Sequence, residues 1–164
     1  MPIRQITVER FSVTSSKPFE EVVRAVDAAI RHPEMNAFLK SIATARTFTE
    51  LENTVRQAVG PSDLIEFARF DLGEVLRKDH GSDAPRILRL VAGNPVTMKK
   101  MAEHVPDAGS YAPISILIDQ RADGVHLSYD RMESLLAPYG NRDASKVAKD
   151  LDSKVEALLV AAAS

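Results

Sequence analysis

The stretch PISILIDQRADGVHLSYD, residues 113–130, constrains the fold more than any other. Ile114, Ile116 and Ile118 alternate with Ser115, Leu117 and Asp119. After Ala122-Asp123-Gly124 the chain returns with Val125, Leu127 and Tyr129 on one parity. A period of two on both sides of an Asp-Gly turn predicts an antiparallel hairpin with one buried face. A lone hairpin is barely stable in water, so further strands and a covering layer must follow.

Two amphipathic helices supply the cover. SSKPFEEVVRAVDAAI places Phe19, Val22, Val23, Val26 and Ile30 on one stripe, with Pro18 suited to the first helical position. A closing helix from near Asp143 carries Val147, Leu151, Val155, Leu158 and Leu159, with Asp150 and Lys154 spaced for an i, i+4 ion pair. Three more strands are expected. The first is residues 4–13, whose phase slip points to a bulge near Glu9-Arg10. DLIEFARFDLG is the second, followed by a short helical piece, GEVLRKDHG. RILRLVAG is the third and, being apolar on both parities apart from Arg86 and Arg89, belongs inside a sheet. The two arginines then need partners, either Glu66 on a neighbouring strand or a bound anion. Residues 33–62 form a helical insertion after the first helix. Within it Thr49 and Glu52 fit a capping box, Leu51, Val55 and Ala58 share a face, and Gly60-Pro61 is a stop. A helical hairpin is the expected form, with a mobile lid as the alternative. The fold class is therefore α+β: a single domain over 1–164, an antiparallel sheet with its principal helices on one face. The sheet's other face and edges invite self-pairing, so a homodimer is the expected partner state.

With 164 residues, 45% of them hydrophobic, the chain is long enough for one substantial core. The net charge of −2 and an aromatic content of 5% argue against a nucleic-acid partner, whose phosphates call for a basic face. There is no cysteine, which removes disulfides, thiolate metal sites and thiol nucleophiles together. The longest apolar run, ALLVAAA, is too short to cross a bilayer, and the opening residues lack a secretory pattern. A cytoplasmic location without membrane contact is the expectation.

The sharpest junction is RLVAGNPVTMKKMAEHVP, residues 89–106. An apolar run stops at Gly93-Asn94-Pro95 and a helix over 95–105 begins at once. Asn at the cap and Pro at the next position explain this structurally. Functionally, free N–H groups at the helix start, with Lys99 and Lys100 a turn further on, could hold an anion.

With that junction and the hairpin placed, the chain resembles the Domain of Unknown Function 302 family. The resemblance rests on FSVTSSKPFEEVVRAVDAAI, VAGNPVTMKKMAEHVPDAG, YAPISILIDQRADGVHLSYD and DLDSKVEALL. It covers roughly residues 5–32 and 63–160, and the order of several short motifs carries it. It implies a fold like that of the TATA-box-binding-protein class, commonly dimeric, with no established activity. The family's two typical cysteines fall on Gly93 and Ile114, so any thiol or metal role of relatives does not transfer.

Two functional readings follow. The first is a domain that binds a small ligand, an anion among the candidates, or acts as an interaction module. Its site lies between the 93–100 junction and the hairpin, with Gly93, Asn94, Lys99 and Tyr111 as candidate ligand residues. The second is a metal-independent enzyme with His126 as general base and Asp130 and Tyr129 nearby. His32, His80, His104 and His126 show no metal-binding spacing, and no dinucleotide, phosphate-loop or hydrolase motif is present, so neither metal nor cofactor is expected.

Overall fold

The computed structural model describes residues 3–164. Five strands, β1 (Arg10–Ser15), β2 (Ile65–Asp71), β3 (Ile87–Gly93), β4 (Ile114–Arg121) and β5 (Gly124–Asp130), form one antiparallel sheet in the order β1-β5-β4-β3-β2. Seven helices join them: α1 (Phe19–Ala29), α2 (Met35–Thr44), α3 (Phe48–Ala58), α4 (Leu72–His80), α5 (Pro95–Ala102), α6 (Met132–Leu136) and α7 (Arg142–Ala163). None is long and apolar enough to cross a membrane.

The alternation in the hairpin decides the layers. On β5, Leu127 and Tyr129 stand between Val13 and Phe11 of β1 and Ile118 and Ile116 of β4, while Leu88 and Leu90 of β3 continue both rows. Leu90, Ile116, Ile118 and Leu127 are fully buried there, beneath Val22 and Val26 of α1 and Val155 and Leu159 of α7. Each such side chain contributes about 1.5–3 kcal/mol by leaving water. The opposite parity, which includes Ser12, Thr14, Arg89 and Phe70, faces solvent.

β3 is interior, as its apolar run requires. Residues 33–62 are a packed helical hairpin rather than a loose cover. α2 and α3 build a second small core in which Phe38 and Val55 close on Ile65, with Leu51, Ala58, Phe67 and Val96 around them. Phe38 meets Phe67 edge-on, ring centroids 6.3 Å apart.

Several local expectations are corrected. The first strand begins at Arg10, not residue 4, so the slip at Glu9-Arg10 marks the strand's start instead of a bulge. The bulge in this sheet lies between Glu66 and Ala68 on β2. Pro18 is the N-cap of α1, one position before the first helical turn. The cap of α3 is Thr47, whose hydroxyl accepts from Glu50 N–H at 3.2 Å, two residues ahead of the Thr49–Glu52 pair. α5 ends at Ala102, so His104 and Val105 lie beyond it. Lys154 reaches Asp63, at 2.6 Å, rather than Asp150.

Candidate functional site

β3 ends at Gly93 because the next backbone unit turns into a helix. Asn94 is extended, and its Oδ1 accepts from the N–H groups of Val96 at 2.8 Å and Thr97 at 3.3 Å, while its carbonyl accepts from Met98 N–H. Pro95 follows as the first helical residue. The start of α5 is thereby satisfied within the chain, and its N–H groups are not the anion cradle the sequence allowed. The Asn94 amide also donates to the Asp63 carboxylate at 3.0 Å, and Asp63 in turn accepts from Lys154. Asp63 holds a left-handed φ of 63°, an uncommon conformation that aspartate tolerates better than most residues. Asn94→Ala removes both the cap and the Asp63 bond. It is expected to cost about 1–2 kcal/mol, read by chemical denaturation.

Two concavities meet at this junction. One is an apolar cavity of about 190 Å³, walled by Phe67 of β2, Met98 and Met101 of α5, Pro113 and Ile114 at the start of β4, and Leu151 of α7. Gly93 is part of its wall, where an added Cβ would stand 3.1 Å from the Pro113 Cβ. The other is a polar groove of about 250 Å³, lined by Glu52 and Arg56 of α3, Asp63, Lys100 of α5 and Lys154 of α7. Asn94 and Thr97 line both.

Of the four ligand candidates, Gly93 and Asn94 are at the site and two are not. Lys99 points across α5 to Glu103, at 2.5 Å, and lies over the Phe48 ring. The Tyr111 hydroxyl is 3.4 Å from that of Tyr139, which this bond pushes up to about 12. Ile114 does line the cavity, so both positions where the resemblance places cysteines border the same space. The groove cations Arg56 and Lys154 were not among the sequence candidates. They come from α3 and α7, and only tertiary packing brings them to α5.

The second constellation does not converge. His126 lies on the solvent-facing side of β5, with Nε2 2.8 Å from Asp123 Oδ1 and Nδ1 3.4 Å from Thr14 Oγ1. That bond holds the Asp123 carboxyl below its ordinary range. Tyr129 points to the opposite face and donates to the buried Asp152 carboxylate at 2.7 Å. Asp130 is engaged by Arg10, with Nε at 2.6 Å. Alternation along the strand separates Tyr129 from His126, and a recess on the sheet takes in Tyr129 and Asp130 with Arg10 and Arg89 but not His126.

The anomalous arginines are placed differently from each other. Arg86 pairs with Glu20 and stacks over Phe19, whereas Arg89 bonds the Ser115 hydroxyl from the solvent-facing side. Glu66 serves neither; it accepts from Arg69 and lies 3.4 Å from His32. Asp27, His32 and Glu66 are close enough together to hold a metal ion, yet Arg69 bridges both carboxylates and meets the charge a cation would neutralise. A wider cleft of about 890 Å³ opens between α1 and the β2–β3 edge. Its Arg69 and Arg86 are spent on these acids and its Asp71 on Arg77, while Arg24 bonds the Glu20 backbone carbonyl at 3.4 Å.

Among curated proteins, none matches this chain. The crystal structure of an uncharacterized conserved protein DUF302 from Bacillus stearothermophilus is similar in fold, with a TM-score of 0.64 at 12% identity over 93% of this chain and 97% of that one. The model of the family described as Domain of unknown function DUF302 matches residues 40–162, from within α2 almost to the end of α7. An antiparallel α+β sheet whose strand-to-helix junction carries Asn-Pro, joined to that match over most of the chain, makes this protein a member of the DUF302 family.

Proposed function

We propose that this chain is a small-molecule-binding domain with its site at the junction of β3 and α5. The observation that carries the proposal is the apolar cavity beside Gly93-Asn94-Pro95, walled by β2, β3, α5, the start of β4 and α7. This half-open apolar recess of about 190 Å³ has room for about six water-sized groups, and an apolar guest seated there leaves water along with its walls. The α2–α3 hairpin supports the reading, because α3 contributes a wall of the adjoining groove.

A neutral apolar probe tests it. Titration with 1-hexanol is expected to shift the methyl resonances of Met98 and Met101 saturably while leaving Met35, in the second core, unmoved. Saturation absent at Met98 and Met101 would remove the proposal.

We also propose that two copies associate through the solvent-facing side of the sheet. Phe70 on that face, with Leu72 and Val75 where β2 runs into α4, exposes 47%, 41% and 71% of its surface respectively, an apolar group of the kind that marks association surfaces. Light scattering is expected to give twice the 18.0 kDa chain mass, falling to the single mass in Phe70→Glu. A single mass for the unaltered chain at all concentrations rejects it.

A further inference from the structure

We infer that the junction takes a small amphipathic monocarboxylate, its apolar body in the cavity and its carboxylate over Arg56 and Lys100 in the groove. This rests on the binding reading above and names the ligand's class. The two concavities differ sharply in chemistry and share Asn94 and Thr97, so one ligand crossing that point meets apolar walls on one side and charges on the other. α5 presents the two surfaces side by side. Met98 and Met101 border the cavity, and Lys100 the groove. α7 does the same with Leu151 and Lys154.

The charge balance selects the head group. Three cations, Arg56, Lys100 and Lys154, line the groove with two carboxylates, Glu52 and Asp63, which leaves one positive charge. Lys154 is committed to Asp63 at 2.6 Å, and Asp63 also holds Asn94. Among the described residues, Arg56 and Lys100 have no carboxylate partner; Arg56 bonds only the Asn53 amide oxygen, at 3.3 Å. Two free cations beside an unpaired Glu52 balance one incoming negative charge rather than the two of a phosphate monoester. The cavity sets the body at about six heavy atoms, at roughly 30 Å³ each. Hexanoate and benzoate fit both limits.

The test compares hexanoate with 1-hexanol on the full chain by the same methionine resonances. Hexanoate is expected to bind about tenfold more tightly at low salt, the equivalent of about 1.4 kcal/mol. That preference should vanish near 1 M salt, where screening acts within about 3 Å. Arg56→Gln with Lys100→Gln, both exposed positions, should abolish it while leaving hexanol affinity unchanged. Hexanol binding without a preference for hexanoate overturns this inference and spares the cavity reading. A preference that survives the double substitution also overturns it. Failure of both probes overturns the cavity reading and this inference together.

Discussion

Replacing Asp152 with alanine is expected to destabilise the fold by about 3–5 kcal/mol, the range found when one partner of a buried charged network is deleted. Asp152 is 1% exposed on the inner side of α7. Its Oδ1 accepts from the Tyr129 hydroxyl at 2.7 Å and Met132 N–H at 2.8 Å, and its Oδ2 accepts from Glu133 N–H at 3.1 Å. One carboxylate thus caps α6, anchors the largest buried side chain of β5 and ties both to α7. Alanine would leave the Tyr129 hydroxyl and Glu133 N–H without an acceptor, each costing about 1–3 kcal/mol before relaxation, and Met132 N–H with only its longer bond to the Tyr129 hydroxyl, at 3.2 Å. In urea the midpoint should fall with little change in slope, and the melting temperature by about 10 °C at this chain length. Unchanged stability would show that the three donors find other acceptors.

The same residue carries a pH signature of known sign. Burial raises the Asp152 carboxyl above its ordinary value, against the pull of Tyr129, Glu133, Met132 and Arg131. The folded chain therefore holds this proton more tightly than the unfolded chain. Its linked stabilisation is complete below the ordinary carboxylate value near 4 and is lost as pH rises through the higher folded value. Measured against Asp152→Asn, which does not titrate, the unaltered protein should gain relative stability as pH falls toward 4. A flat difference across that window would contradict it.

How much of this was legible follows from which signals are local. The β4–β5 hairpin, the stripe of α7 and the Asn94 cap are written within a few residues, and each stands where its spacing puts it. The start of β1 was less legible. Ile6 and Val8 look like strand residues, but pairing with β5 begins only at Arg10, where Phe11 and Val13 meet Tyr129 and Leu127. At α3, Thr47-x-x-Glu50 and Thr49-x-x-Glu52 fit the same capping pattern, and the helix uses the first, with Thr47 accepting from Glu50 N–H and the Glu50 carboxylate accepting from Arg46 N–H. The candidate site divides in the same way. Gly93 and Asn94 were readable because one short segment holds them. Arg56, Asp63 and Lys154 were not, since three separate elements bring them to one groove. Lys154 shows the difference most plainly, because its sequence neighbour Asp150 fits the helical rule while its actual partner lies 91 positions away.

Gly60→Ala is expected to be the other costly substitution, at about 3 kcal/mol, the upper part of the range for overpacking. An added Cβ there would stand 2.5 Å from the Ala29 carbonyl oxygen, 2.7 Å from Arg31 N and 2.9 Å from the Ile30 carbonyl carbon. All three are backbone atoms at the exit of α1, so no side chain can swing aside. The segment is bound from several directions. Gly60 N–H and Arg31 N–H both donate to the Leu64 carbonyl, Ser62 donates to Ala29, and Glu66 N–H donates to Arg31. This knot joins the end of α1, the end of α3 and the entry to β2. Forcing it apart should loosen the α2–α3 hairpin before the sheet, because the hairpin's own core is small and depends on Ile65 just beyond the knot. Amide exchange is therefore expected to accelerate first within 35–58 and only afterwards in β4 and β5. Gly109→Ala is the control, since an added Cβ there meets nothing within 4 Å. Equal stabilities for the two variants would show that the α1 exit yields freely, and uniform exchange in Gly60→Ala would show that the α2–α3 hairpin and the sheet open as one unit.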